Sequence, residues 1–400
     1  MKKNSDFKNI SYTNYEFISI FIILVSCGLI SNIPKQILTN CCSASIIGTS
    51  VLCIVSYFIY KFINKKIFNY EYDFIEIIKK TYSKPMQSLI AIIIYLFCIF
   101  YIYILICNIS YNLKTTTYIH STIFELAIYF IVAAFLVTRN GFNSIFRIAG
   151  YVAGAFVIYI FLLFILSLPF LDISHFLPIL GSGFKGVFLV NLQNLSIFAP
   201  LFFTLLFGGQ VHNYTRNNSK NLNKIMLFCS MLLLVVIIMF IGAMPSQLLS
   251  TRSILLFDIS RIVSFSTTSI KIAPIMIFTF SFLMFLGISF VLLIGCMVLE
   301  RLKVIKEYTK VILSSIILIT TLLLLPQSLF NFYNIEKQFQ ICCIIIGFIF
   351  PIVTILIYSI KNHNQLQAFT LKNNKKHIKV TKTGNITNTN NIKAGVSEYD

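Results

Sequence analysis

The sequence predicts an all-α polytopic membrane protein of ten transmembrane helices, arranged as two repeats of five helices with opposite orientation. The first observation is composition: 57% of the 400 residues are hydrophobic and 11% are charged, whereas a soluble domain has about 25% charged residues. Even a large soluble domain leaves about a quarter of its chain surface in water, so this chain must use lipid as its solvent. A soluble enzyme, a fibrous protein and a disordered protein are therefore excluded.

The second observation is a series of ten apolar stretches of about 20 residues, the length that a helix needs to cross a hydrocarbon core of about 30 Å. The sixth stretch is the most polar, because it contains Asn191, Gln193 and Asn194. The predicted spans are about 15–35, 44–63, 87–112, 121–138, 143–168, 187–209, 223–243, 272–299, 308–326 and 339–360.

The third observation is the position of the positive charges. With the N-terminus in the cytoplasm, 25 of the 32 Lys and Arg residues lie in cytoplasmic segments and 7 on the other side, as the positive-inside rule requires. The net charge of +19 therefore orients the helices, and we expect no nucleic-acid partner. Both ends are predicted to be cytoplasmic, residues 1–14 and a basic polar tail at 361–400. The tail is expected to be flexible, either solvated or in contact with anionic lipid headgroups.

The spacing of the spans predicts an internal repeat within the transmembrane domain 15–360, with halves at about 15–168 and 187–360. Each span of the first half precedes its counterpart by 173 to 194 residues, and two amphipathic segments at 72–80 and 254–262 also correspond. Because five is an odd number of spans, the second half must be inverted in the membrane, which is the plan of many secondary transporters. The alternative is a coincidence among ten similar spans.

Spans one and six, which correspond in the two halves, both contain residues that can interrupt a helix. Span one has Ser26, Cys27 and Gly28 near its middle, and span six has Pro200, which removes a helical hydrogen bond. In inverted-repeat transporters the freed backbone groups of two broken helices bind ligand near the midplane. The alternative is ordinary kinks, since Gly and Pro are common in membrane helices.

The sequence contains few groups that carry chemistry. It has no His-Glu-x-x-His, Walker or nucleophile-elbow pattern, and its ten cysteines lie mostly within spans, without metal-ligand spacing. The chain is therefore predicted not to be an enzyme and to hold neither cofactor nor metal. The cores of the predicted spans are nearly free of ionisable residues, which argues against a buried carboxylate or lysine that carries protons.

Four stretches give the chain a resemblance to a known family. They are 74–84 leading into span three, 139–149 opening span five, 171–186 with the sequence LDISHFLPILGSGFKG, and 258–263 before span eight. In order and spacing they resemble the spore germination permease family, the B subunits of Ger-type nutrient germinant receptors, within the amino acid–polyamine–organocation (APC) superfamily. The resemblance covers roughly residues 10–360 and implies a LeuT-like permease fold with helices one and six broken.

The family pattern implies a ligand pocket at the midplane, lined by spans one, three, six and eight. Tyr101, Ile104 and Asn108 share one face of span three, although packing between helices would explain that face equally well. Backbone groups of the broken helices would hold a carboxylate and an ammonium group. The implied ligand-binding residues are Ser26, Cys27, Gly28, Tyr101, Ile104, Ser196, Ile197, Phe198, Phe280, Ser281 and Phe285.

The resemblance also implies a function. A B subunit in the inner membrane of a spore would bind a small nutrient, often an amino acid, and trigger germination together with an A-type membrane subunit and a C-type lipoprotein. The nutrient would act by favouring one packing of the two repeats, and the near absence of charge within the spans favours such a sensor over a proton-driven pump. The alternatives are an amino-acid or amine secondary transporter of the same fold, and a membrane enzyme or unrelated scaffold.

Overall fold

The structure, a computed structural model, describes part of the chain, and the predictions for the tail 361–400 and for nearly all of the N-terminal segment 1–14 lie outside that part. The first residues predicted for span six lie largely outside it as well. The described residues are 14–31, 33–69, 73–177, 183, 187, 193–207, 216–244, 255–262, 273–305, 308–323 and 329–361.

All regular secondary structure of the described residues is helical. A π-helical turn, Ile345–Ile349, continues the last α-helix into the helical residues 350–361. The α-helices are α1 (Asn14–Ile30), α2 (Ile33–Cys41), α3 (Ser45–Asn69), α4 (Phe74–Thr81), α5 (Lys84–Thr116), α6 (Ile123–Arg139), α7 (Phe142–Ser167), α8 (Leu201–Phe207), α9 (Arg216–Ala243), α10 (Leu255–Ile262), α11 (Ala273–Arg301), α12 (Tyr308–Leu323) and α13 (Leu329–Ile344).

Six helical segments of the described chain are long and apolar enough to cross a membrane, so the chain is a multi-pass membrane protein. Three shorter apolar helices accompany them, at Tyr15–Leu29, Leu195–Phe207 and Val311–Thr320. The six segments are Ile33–Ile67, Lys84–Thr116, Phe142–Phe170, Asn223–Ala243, Pro274–Arg301 and Asn334–Lys361.

Two boundaries differ from the sequence-based prediction. The sequence predicts one span at 15–35, but α1 ends at Ile30 and a separate amphipathic helix, α2, continues from Ile33 to Cys41. Cys42 then adopts a positive φ of 50°, where the chain turns into α3. The last span is predicted at 339–360, but its helix begins at Leu329, because polar residues at 334–340 lower the local hydropathy without ending the helix.

Helix α11 lies at the centre of the described bundle. It packs against α1, α5, α6 and α7. Of the residues in its most apolar stretch, 89% are buried within the protein, as expected for a helix that is apolar on all sides. Helix α7, by contrast, leaves Tyr151 and Ile158 exposed by 84% and 68%. We interpret this face of α7 as a lipid-facing surface.

The two amphipathic segments form short helices, α4 and α10, that pack on longer ones. Phe74 of α4 packs edge-on against the rings of Phe202 and Phe350, with centroids 5.9 and 6.0 Å away. Asp73, just before α4, accepts a hydrogen bond from Arg301 Nη2 at 3.1 Å, which ties this helix to the end of α11. Helix α10 packs on α9 and α11.

The described part of the stretch that begins at Leu171 docks on α9. The N–H of Asp172 donates to the carbonyl of Gly242 (2.9 Å), and His175 Nδ1 lies 3.1 Å from the same oxygen. The N–H of Ser174 donates to Asp172 Oδ1 (2.8 Å), which holds the pKa of that carboxyl below its usual value. This segment therefore closes the end of α7 onto α9.

We predict that Gly347→Ala destabilises the protein by about 1–3 kcal/mol. A Cβ at Gly347 would lie 2.9 Å from Ala199 Cβ and 3.1 Å from its Cα, and backbone cannot move aside cheaply. The measurement is the melting temperature of the purified protein in detergent. Gly154→Ala is the control, because its Cβ would meet only the Tyr15 hydroxyl, at 3.6 Å; equal melting temperatures for the two variants would contradict this packing.

Candidate ligand-binding site

The end of α1 is the first component of the site. After Ile30 the helix stops, and Ser31 Oγ donates to the carbonyl of Gly28 (2.6 Å) and accepts the N–H of Ile33 at 3.4 Å. A single hydroxyl thus partners one carbonyl that the helix end leaves free and one N–H at the start of α2. Such interruptions are tolerated at membrane depth only when they are buried within protein.

The segment 193–207 is the second component. It contains a 3₁₀ turn (Leu195–Phe198), a turn at Ala199 and Pro200, and then α8, and every residue from 194 to 207 is buried. Pro200 has no N–H to donate, so it suits the point where the helix changes direction.

The two interrupted segments touch at Gly28. A Cβ at this position would lie 2.8 Å from Ile197 Cγ1 and 3.3 Å from the Ile197 carbonyl oxygen, so glycine permits an approach that any larger residue would prevent. At the preceding residue, Cys27 Sγ contacts α11, 3.7 Å from the Leu283 carbonyl oxygen.

A small cavity lies beside this contact, between the end of α1, the start of α2, α5, the 193–207 segment and α13. Its volume, counted as the space open to the centre of a water molecule, is about 30 Å³. This is room for roughly two water molecules. This arrangement is therefore closed to an organic ligand. The lining residues are Cys27, Gly28, Ser31, Ile33, Tyr101, Ile104, Leu105, Asn108, Ser196, Pro200, Glu336, Phe339, Gln340 and Cys343.

Buried polar groups from α5 and α13 meet in the cavity. Glu336 is 2% exposed, and Asn108 Nδ2 donates to its Oε1 at 3.4 Å. One helical turn further along α13, Gln340 Nε2 donates to Gln36 Oε1 of α2 at 2.8 Å. Two side-chain contacts therefore tie α13 to α5 and to α2 around the cavity.

Ser196 gives the cavity a further polar group. The residue is 4% exposed, and its Oγ has no hydrogen-bond partner among the described residues. A buried hydroxyl without a partner costs about 1–3 kcal/mol, so this oxygen is free to bond with a molecule in the cavity.

The remaining wall of the cavity is aromatic. The rings of Tyr101 and Phe339 lie 5.6 Å apart, and Phe203 stands edge-on to Tyr101 at 5.3 Å. Ring pairs at these separations contribute about 0.5–1.5 kcal/mol beyond the area they bury. The cavity thus combines one rigid apolar wall with one polar wall.

Glu336 is a buried ionisable residue that the sequence-based prediction missed, because it lies three residues before the predicted start of the last span. Residues 334–338 are predicted to lie in an outer loop because Lys337 and Gln338 are polar, and both are indeed exposed. Spacing is the signal that could have identified the site, since Glu336, Phe339, Gln340 and Cys343 follow the i, i+3, i+4, i+7 pattern of one helix face. All four line the cavity.

Five of the eleven sequence-predicted site residues line the cavity: Cys27, Gly28, Tyr101, Ile104 and Ser196. Ile197 lies directly behind Gly28. Ser26 and Phe198 are buried nearby in the sequence and are not among the lining residues; the Ser26 hydroxyl donates to the Ile22 carbonyl at 2.6 Å.

The three predicted residues of α11 lie elsewhere. Ser281 and Phe285 border an apolar pocket with Tyr129 and Phe130 of α6, and Phe280 borders a third pocket with Ile109 and Met276 among its neighbours. For Ser281 and Phe285 the reason is helix rotation. Leu283 and Gly287 are the residues of α11 in contact with Cys27, and positions two residues away on a helix point to the opposite side.

The described residues hold no group of three or more His, Cys, Asp or Glu side chains that could bind a metal ion. The polar groups that line the cavity are one carboxyl group, two amides and hydroxyl groups, and all of them can form hydrogen bonds with a ligand.

The fold is similar to that of solved membrane transporters. Crystal structures of the manganese transporter of Eremococcus coleocola match 86% of this chain and 78% of their own at 13% identity, with TM-scores of 0.50 for a histidine-to-alanine variant and 0.51 for a glutamate-to-alanine variant. This likeness shows the fold alone. No protein-family model and no curated protein sequence matches the chain.

We predict that Asn108→Ala destabilises the protein by about 1–3 kcal/mol, because it removes a hydrogen bond to a buried carboxylate. Asn112→Ala, one turn along the same helix and half-buried, should change stability by less than about 0.5 kcal/mol. Thermal unfolding of both variants in detergent measures the difference. If Asn108→Ala has the same melting temperature as the wild type, the hydrogen bond to Glu336 contributes nothing to stability.

Proposed function

We propose that the protein binds a small nutrient molecule, an amino acid or amine, in the cavity beside Gly28. The observation that carries the proposal is this buried cavity at the contact of two interrupted segments, with Ser196 in its lining and the Ser196 hydroxyl without a partner among the described residues. Convergent polar groups in a mainly apolar cavity are typical of a ligand site. The similarity in fold to a manganese transporter supports a role in membrane solute binding.

We also propose that ten spans form two inverted repeats of five. In support, counterparts pack against each other: α1 on the 193–207 segment, α3 on α9, α5 on α11 and α6 on α12. The contact of α5 with α12 also has its counterpart, which is the contact of α11 with α6. A two-fold axis in the membrane plane generates both kinds of contact.

The proposed role of binding is that of a B subunit in a nutrient germinant receptor, in the inner membrane of a spore with both termini in the cytoplasm. The support is the order and spacing of the four sequence stretches that resemble that family. Its partners would be an A-type membrane subunit and a C-type lipoprotein, and no catalysis is involved. Because the cavity is closed, a nutrient would favour a more open packing and shift the population towards it.

Secondary transport of an amino acid or amine is the second candidate function. Glu336 is the observation that favours it, since the preference for a sensor depended on span cores without charge. Buried acidic residues in membrane helices are often part of substrate or proton pathways. Manganese, the cargo named for the structural neighbour, has no matching group of metal ligands in the described residues.

We predict that Gly28→Leu abolishes the response to the nutrient, because the new side chain would occupy the space of Ile197 at the edge of the cavity. Germination of spores carrying the variant measures the response, and immunoblotting of inner membranes measures the protein level. Gly154→Ala is the control and should respond normally. A normal response of Gly28→Leu at normal protein levels would reject the cavity as the binding site.

Deletion and uptake experiments separate the two candidate functions. For a receptor, we expect deletion in the sporulating host to abolish germination with particular single nutrients, and vesicles containing the protein to accumulate no labelled amino acid. For a transporter, we expect concentrative uptake in vesicles and unchanged germination. Uptake without a germination phenotype would therefore reject the receptor proposal.

A further inference from the structure

The electrostatic character of the cavity indicates which class of molecule it takes. Among the described residues that line it, Glu336 is the one acidic side chain, and no Lys, Arg or His is among them. Its carboxylate is buried at 2% exposure and accepts a hydrogen bond from Asn108. Within a low-dielectric interior, a carboxylate attracts a cation far more strongly than it does in water.

The end of α1 is a second, independent source of negative potential. Cys27 and Gly28, in the last turn of this helix, line the cavity, and α1 ends two residues after Gly28. The last carbonyls of a helix have no partner within it, and they carry about half a negative charge. In α1 one of them, the Gly28 carbonyl, accepts a hydrogen bond from Ser31, which leaves the direction of the helix dipole unchanged. Both the carboxylate and the helix end therefore favour a positive group in the same space.

The aromatic wall contributes a third attraction. The rings of Tyr101 and Phe339 both line the cavity, and a cation within about 6 Å of a ring face is attracted by it. The Ser196 hydroxyl, which has no partner in the described structure, can accept an N–H. Carboxylate, carbonyl, hydroxyl and ring face are together the groups that bind an ammonium ion.

We infer that Glu336 binds the ammonium group of the ligand, and that the cavity selects small primary amines or amino acids over neutral and anionic molecules of similar size. This inference rests on the proposed binding function, and it names a residue on α13 as the selecting group. The ligand's positive charge replaces the hydration that the carboxylate loses on burial, so the contact discriminates by charge rather than by shape.

The first test compares ligands on the wild-type protein. Thermal shift of the full-length protein in detergent is measured with the twenty common amino acids, methylamine and putrescine. Each compound that stabilises the protein is then compared with its analogue in which hydrogen or hydroxyl replaces the amine, such as propionate or lactate for alanine. We expect each analogue to bind at least about tenfold more weakly, the effect of losing one charge-assisted hydrogen bond.

The second test removes only the charge of Glu336. Glu336→Gln keeps the side-chain volume and an oxygen that can accept from Asn108, and we expect it to bind the amine about 10–100-fold more weakly. Glu125→Gln is the matched control, because Glu125 lies exposed in the capping box of α6 and a glutamine supports the same box. The control should bind the amine like the wild type.

The outcomes separate the inference from the proposed function. If the amine-free analogues bind as tightly as the amines, or if folded Glu336→Gln keeps wild-type affinity, the inference is overturned while the binding function stands. If the Glu336→Gln protein does not fold, the analogue comparison on the wild type decides alone. If no compound of the panel stabilises the wild type, both the inference and the proposed amino-acid or amine binding fail.

Discussion

The contact of Gly28 with Ile197 is the constraint on which the centre of this molecule depends. Lipid offers no hydrogen bonds, so a helix interrupted at membrane depth must be surrounded by protein. Here two interrupted segments cover each other, and the missing side chain of Gly28 lets them approach to within 2.8 Å of where a Cβ would lie. The cavity is the space that remains next to this contact, because neither segment continues as a straight helix through it.

Aromatic packing holds one of these segments firmly in place. Phe207, at the end of α8, stacks near Phe146 at 5.1 Å and near Phe142 at 4.9 Å, while Phe203 packs against Phe97 at 5.8 Å. A seven-residue helix has little stability of its own, so tertiary contacts of this kind account for its order. The polar wall is held instead by side-chain hydrogen bonds, among them Asn108 to Glu336 and Gln340 to Gln36.

Hydropathy predicted the approximate positions of the six segments that are long and apolar enough to cross a membrane, because lipid exposure and burial both select apolar residues. It could not predict which face of an apolar helix points inward. For α11, Leu283 and Gly287 face Cys27, whereas Ser281 and Phe285 face α6, and no difference in polarity distinguishes the two faces. Averaging also concealed Glu336, whose exposed neighbours Lys337 and Gln338 made a buried helix turn resemble a loop. Gly28 and Ser196 were identifiable because residues that interrupt a helix are chemically distinct.

The short helix α2 has a mechanical consequence. It begins next to the Ser31 interruption, ends at the positive-φ residue Cys42, and is joined to α13 by the amide pair Gln36 and Gln340. Nine residues make a rigid rod of about 14 Å, so a rotation of about 10° at Ser31 displaces its far end by about 2 Å. A shift of about 1 Å at Gln36, one turn along this rod, thus becomes about 2 Å at the turn into α3.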